Sequence, residues 1–278
     1  MDGAVAERLG QRLVDEAVLV EQRQPGEARA RHGHLEVVAA AGSVLDVQLV
    51  RVRERVAQQG FESLGGHGPQ RTLRDVDEIG LFPLGIVLLP TEVVPLHIFE
   101  DRYKELIGEC LDSGGEFGLV YADEDGVREA GTRARVAEVL DRFDDGRLNV
   151  LVEGGARFKV ERLTRGRSFM TAQVEPLEDD PGVEPDEDAA ERVTEAFRAL
   201  AMAAGAEAEV PEPDLPSLSF HVAARVEIAA DAKQELLESR SEPERLGKLR
   251  ALLDGAREAI LAARRLGEHA KKNGSRLP

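Results

Sequence analysis

The chain has 278 residues, of which 42% are hydrophobic and only 4% aromatic, with no Trp and a formal net charge of −17. That length and apolar share suffice for one or two modest cores, whereas scarce stacking rings and a strongly anionic balance exclude nucleic acid as a leading partner, since phosphates are held by Lys and Arg. The single cysteine cannot form an internal disulfide; without a secretory pattern or an apolar run of roughly 18 to 20 residues, the expectation is a cytoplasmic protein with no membrane contact.

Residues 1–75 hold ten Arg, no Lys and eleven acidic residues, so they contribute −1 and the remainder −16. Their apolar stretches lack a clear period, and residues 1–76 are expected to be a poorly ordered N-terminal extension or the product of a start assigned too far upstream. Within them, His32 and His34 would share one face of a strand beside Glu36. Without a further ligand nearby this is a weak metal signal.

From Ile79 the texture changes. Gly80 to Pro90 is dense in apolar residues punctuated by Pro and Gly, which predicts short strands with bends. Phe99, Tyr103, Leu106, Ile107, Cys110 and Leu111 then recur at spacings of three and four between the acidic start Glu100-Asp101 and the breaker Gly114-Gly115, predicting one amphipathic helix. Strands are expected over Phe117–Ala122 and Gly131–Phe143, with a tight turn at Asp144-Asp145-Gly146 leading back into Leu148–Val152. A second turn at Glu153-Gly154-Gly155 is expected to separate that strand from Arg157–Leu163, where apolar and charged residues alternate. Phe169–Glu175 adds another strand. The span 77–180 thus reads as a compact β-rich subdomain with one helix.

Residues 181–188 continue an acidic, Pro- and Gly-rich stretch that begins at Glu178 and opposes packing, so they are expected to form a hinge. Beyond it, 189–272 reads as a helical bundle, with 273–278 as a tail. Ala189–Ala208 is helical by composition, Asp231 can cap a short helix carrying Leu236 and Leu237, and Ser241 can cap a last helix with Pro243 in its first turn and Leu246, Leu249, Leu252 and Leu253 along one face. The fold class is therefore α+β.

Several segments, in order, resemble one family. Leu81-Phe82-Pro83-Leu84, Val87-Leu88-Leu89-Pro90, Pro95-Leu96-His97-Ile98-Phe99-Glu100 and Arg102-Tyr103 are similar to the opening of the Lon protease N-terminal, substrate-binding domain. Gly131-Thr132-Arg133-Ala134, Asp145-Gly146-Arg147 and Val152-Glu153-Gly154-Gly155-Ala156-Arg157-Phe158 look like its hairpin and valine-glutamate-glycine signature, and Lys233 to Glu238 with Glu244-Arg245-Leu246 and Leu249 look like its helical half. The resemblance covers roughly residues 78 to 260. It implies a PUA-like pseudo-barrel followed by a helical bundle, in a stand-alone form that contacts polypeptide substrates, or a partner protease or chaperone, without ATPase or protease chemistry. No phosphate loop is present around Gly247-Lys248, because position 242 is Glu and position 249 is Leu.

His97 could be a base or ligand, but no acidic or cysteine partner lies at metal-ligand spacing, so a partly buried, hydrogen-bonded histidine is expected. Cys110 falls on the apolar stripe of its helix, where a small hydrophobe is wanted. Asp123-Glu124-Asp125-Gly126 lacks the later ligands of a calcium loop, and Asp144-Asp145 and Asp179-Asp180 read as turn and linker residues. No cofactor or metal is expected, and no enzyme activity. A module that grips exposed polypeptide needs surface hydrophobes and strand edges. Phe82, Leu84, Leu88, His97, Phe99 and Tyr103 are the candidate polypeptide-binding residues, with Phe99 and Tyr103 expected to divide between surface and core. The alternatives are a small hydrolase using His97 and a small-molecule-binding module.

Overall fold

A computed structural model describes residues 38–39, 43–44, 77–182 and 187–274. Apart from a short antiparallel pairing of Val38–Ala39 with Ser43–Val44, the N-terminal extension lies outside the described residues, as does the set of His32, His34 and Glu36. The ordered elements are β1 (Asp77–Leu84), β2 (Val93–Ile98), α1 (Asp101–Ser113), β3 (Phe117–Asp123), β4 (Gly126–Arg142), β5 (Leu148–Thr164), β6 (Met170–Pro176), α2 (Glu187–Ala204), α3 (Leu218–Ala223), α4 (Ala230–Glu238) and α5 (Glu242–Gly274). The class is α+β, and the chain divides into two compact units. Of the described residues, unit 1 takes 77–178 and 230–238, and unit 2 takes 38–39, 43–44, 179–182, 187–229 and 239–274.

In unit 1 the strand order is β2-β5-β4-β3-β1-β6, and β6 also pairs with β5. Among the described residues five strands therefore close on themselves, while β2 lies on the first half of β5 as an added strand. All pairings are antiparallel except β1 with β3. That parallel pair needs a crossover, which β2 and α1 provide. Along β1, Ile79 and Leu81 join one buried cluster with Phe158 and Val174, while Phe82 joins another with Phe117, Val150 and Phe169. This is the period of two of a strand buried on both faces. Helix α1 presses Tyr103, Leu106, Ile107 and Cys110 into the second cluster. It ends where the period of apolar residues ends, at Gly114 in the left-handed conformation (φ 66°), whose N–H returns to the Cys110 carbonyl.

Two expectations are corrected here. Glu153-Gly154-Gly155 is no turn, because β5 runs unbroken for 17 residues from Leu148 to Thr164. Gly154 is needed for close approach instead: a Cβ there would stand 2.1 Å from the Leu89 carbonyl oxygen. The backbone of the 89–92 loop bonds to it twice, through Thr91 N–H to Gly154 O and Gly154 N–H to Glu92 O, both 2.8 Å. The loop carries a positive φ of 66° at Thr91. By contrast Gly146, with φ 82°, does make the expected hairpin turn, its N–H bonding to Phe143 O.

The second correction concerns α4, which belongs with the barrel rather than with the bundle expected over 189–272. Three polar contacts hold it there. Lys233 Nζ donates to Glu92 Oε1 at 2.6 Å, the carboxylate being fully buried and also accepting from Leu89 N–H. Gln234 reaches the Ala130 carbonyl, and the buried Arg157 donates to Leu237 O, satisfying an end carbonyl of the helix.

In unit 2, α2, α3 and α5 pack together through Val193, Phe197 and Leu200, Leu218 and Phe220, and Leu246, Leu249, Leu253 and Ile260, all buried. Ser241 precedes α5 as expected, its Oγ 3.4 Å from Glu244 N. Asp179 is more than a linker residue: its carboxylate grips the fully buried Arg245. Among the described residues no helix is long and apolar enough to cross a membrane.

Candidate functional site

The six candidate residues separate by depth. Phe82, Leu88 and Tyr103 are core residues, 4%, 1% and 5% exposed. Phe82 stacks on Tyr103 with ring centroids 3.9 Å apart, so a groove lined by these side chains is corrected to a packed interior. The reason is the barrel itself, which turns the apolar residues around the Pro-rich bends inward to meet α1. Leu84 is partly buried against the same cluster. His97 and Phe99 alone of the six lie exposed, and of the expected pair Tyr103 goes to the core while Phe99 stays at the surface.

His97 is hydrogen-bonded as expected, but it is exposed rather than partly buried and stands near the end of β2 on its outward side rather than in a loop. Its Nδ1 is 2.6 Å from Asn149 Oδ1 on the adjacent strand. An amide oxygen only accepts, so Nδ1 carries the proton and Nε2 of the neutral ring is left as an acceptor. Asn149 is fixed in turn, its amide donating to Asp141 Oδ2 at 2.9 Å. The chain His97–Asn149–Asp141 thus runs across β2, β5 and β4 along one row of the ladder, as their register requires.

Two phenylalanines complete this surface. Phe99, 37% exposed, stacks near His97 at 5.9 Å, and Phe143, 40% exposed, meets it edge-on at 6.1 Å. Sequence reasoning placed Phe143 at the end of a strand and gave it no role. The available signal was an apolar ring directly before Asp144-Asp145-Gly146, where a hairpin tip has no core to enter. Arg147 lies over the Phe143 ring at 5.1 Å and pairs with Asp145 at 2.7 Å. Lys104 of α1 reaches Asp145 O at 3.3 Å, so helix, hairpin tip and β2 are tied together around the three rings.

The Cys110 thiol is buried in the core and pushed up to about 11 by burial, then by Glu109 and Glu116, which keeps it as the unreactive thiol. Asp123 pairs with Arg128 and accepts from Asp125 N–H, so the acidic turn serves its own loop. Among the described residues, no group of three or more His, Cys, Asp or Glu is placed to hold a metal ion.

The family model for the substrate-binding domain of ATP-dependent protease La (LON) matches residues 78–255, well over half of the chain. The chain belongs to this LON substrate-binding family. The chain is 25% identical over 215 residues to the Lon protease of Brevibacillus choshinensis, covering 72% of this chain and 28% of that protein. The Lon protease of Rhizobium meliloti is 28% identical over 212 residues, covering 67% and 25%. The chain therefore spans about a quarter of the length of these relatives. Among solved structures, a Lon N-terminal domain protein from Xanthomonas campestris superposes with a TM-score of 0.50 at 27% identity, over 63% of this chain and 98% of that one. The matched span takes in the barrel strands and the helices as far as the first part of α5, which continues to Gly274.

Proposed function

We propose that this LON-family chain is a non-catalytic polypeptide-binding module, and that it engages polypeptide through the exposed surface of His97, Phe99 and Phe143. The observation that carries the reading is this trio of rings held in fixed relative positions at the surface. Exposed aromatics of this kind are what binding to unfolded or extended chain requires. Position adds support. Among the described residues β2 is hydrogen-bonded in the sheet to β5 alone, and an extended segment can align with such an edge. Gripping polypeptide this way, the module would act as an adaptor or substrate-recognition unit for a separate protease or chaperone.

The test is fluorescence anisotropy of the full chain titrated against a labelled, permanently unfolded polypeptide, with Phe99→Ser and Phe143→Ser as variants. Each hot-spot ring is worth roughly 2 kcal/mol, so each variant should weaken binding about thirtyfold while circular dichroism stays unchanged. Equal affinity in both variants and the parent would sink the assignment of this surface.

A further inference from the structure

We infer that this surface selects segments in which Lys or Arg stands beside apolar residues, an inference that rests on the polypeptide-binding reading above. Residues opposed in an antiparallel ladder share a face of the sheet. The outward row bearing His97, Asn149 and Asp141 is followed by Pro95, Leu151 and Glu138, then by Val93, Glu153 and Arg135. Over these three rows stand three carboxylates and one guanidinium, and that guanidinium is already paired with Glu153. Asp141 accepts from the Asn149 amide, and among the described residues no cation pairs with it or with the exposed Glu138. Arg142 does not offset them, because it opposes Leu148, whose side chain lies in the core, and so sits on the other face.

A cationic side chain placed here would meet three complementary features. The exposed imidazole offers Nε2 as an acceptor. Phe99 presents a ring face that attracts a cation and covers its methylene stem, while Phe143, whose ring already lies under Arg147 paired with Asp145, adds apolar contact to the stem. Asp141 and Glu138 supply charge along the adjoining rows. The wider field has the same sign: unit 1 over 77–178 and 230–238 carries 24 carboxylates against 13 Lys and Arg, a net −11. Such a field speeds encounter with cationic segments and slows encounter with anionic ones.

The experiment uses the full chain and two labelled peptides of equal length with the same Phe, Leu and Ala positions, one interspersed with Lys and Arg, the other with Asp and Glu. Affinities are measured by anisotropy in roughly 20 mM and roughly 500 mM salt, which bracket long and short screening lengths. The expected result is that the basic peptide binds at least about tenfold more tightly at low salt, with the preference falling to about threefold or less at high salt. The same collapse is expected at low salt in the Glu138→Gln, Asp141→Asn double variant, whose new amide at 141 still accepts from Asn149. Equal affinity for the two peptides, with both lost in Phe143→Ser, would overturn the selectivity and leave polypeptide binding standing. Failure of both peptides to bind would overturn both readings. A preference that survives intact in the double variant would overturn the placement of the selectivity on this face.

Discussion

Gly154 carries the tightest backbone approach in unit 1, because the Leu89 carbonyl occupies the space a methyl group would need. Gly154→Ala should cost about 1–3 kcal/mol through forced displacement of the 89–92 loop, seen as a lower urea midpoint at unchanged slope. Nothing local distinguishes this glycine from a turn glycine. The distinguishing atom belongs to a loop far away in sequence, which is why the pair Gly154-Gly155 reads as a turn from the chain alone. His221 offers a second test. Burial, then the charge of Arg225, holds its imidazole below the ordinary 6.5 despite Glu242. The folded state therefore resists a proton that the unfolded chain accepts, so the stability it contributes is present above pH 6.5 and lost as the pH falls towards the lower folded value. Thermal midpoints should fall less steeply in His221→Gln than in the parent across that acidic window; identical slopes would show that other groups govern it.

Among the elements, the start of α5 is the most heavily committed. Arg245 is fully buried; it donates from Nε to Ser219 Oγ and Glu242 Oε2, both at 3.0 Å, and from Nη1 to Asp179 at 2.7 Å and to the Ser239 carbonyl at 2.8 Å. Its guanidinium also lies 4.5 Å from the Phe220 ring centre. Burial opposes the charge, yet the bonds and charges of Asp179 and Glu242 outweigh it and hold the pKa above its ordinary value. Arg245→Met would strand the buried Glu242 without its cation, and a loss of about 3–5 kcal/mol is expected. Arg245→Lys should recover only part, since a point charge cannot replace the planar fork. Calorimetry on the three proteins decides it. Helix α1 was legible residue by residue because its apolar spacing, acidic start and glycine stop all agree. The role of Asp179 was not: an acidic pair before Pro and Gly looks like solvated linker until a helix far down the chain brings an arginine to it.

At the scale of the whole molecule, from residue 77 onward the chain passes between its two units at 178/179, at 229/230 and again at 238/239. The composition shift after Glu178 marks the first passage, and the sequence shows it. The others are silent, because Lys233 and Gln234 on a short helix look like solvent-facing residues and only the barrel's buried Glu92 and the Ala130 carbonyl give them a purpose. A fragment of residues 77–178 would keep every barrel strand but lack α4, leaving the Glu92 carboxylate buried without its cation. It should unfold broadly and at lower temperature than the full chain; a sharp transition at the parent's midpoint would show that α4 is dispensable to the barrel.

The pairing of Glu92 with Lys233 also sets a schedule. The two residues are 141 positions apart, and a ribosome adding about 5–20 residues per second needs roughly 7 to 28 s to travel that distance. The last barrel strand ends at Pro176, so only over the final 57 of those positions, about 3 to 11 s, does the nascent barrel have all its strands without the ammonium group that pairs with Glu92, and that group arrives only after the bundle's first helices have been made.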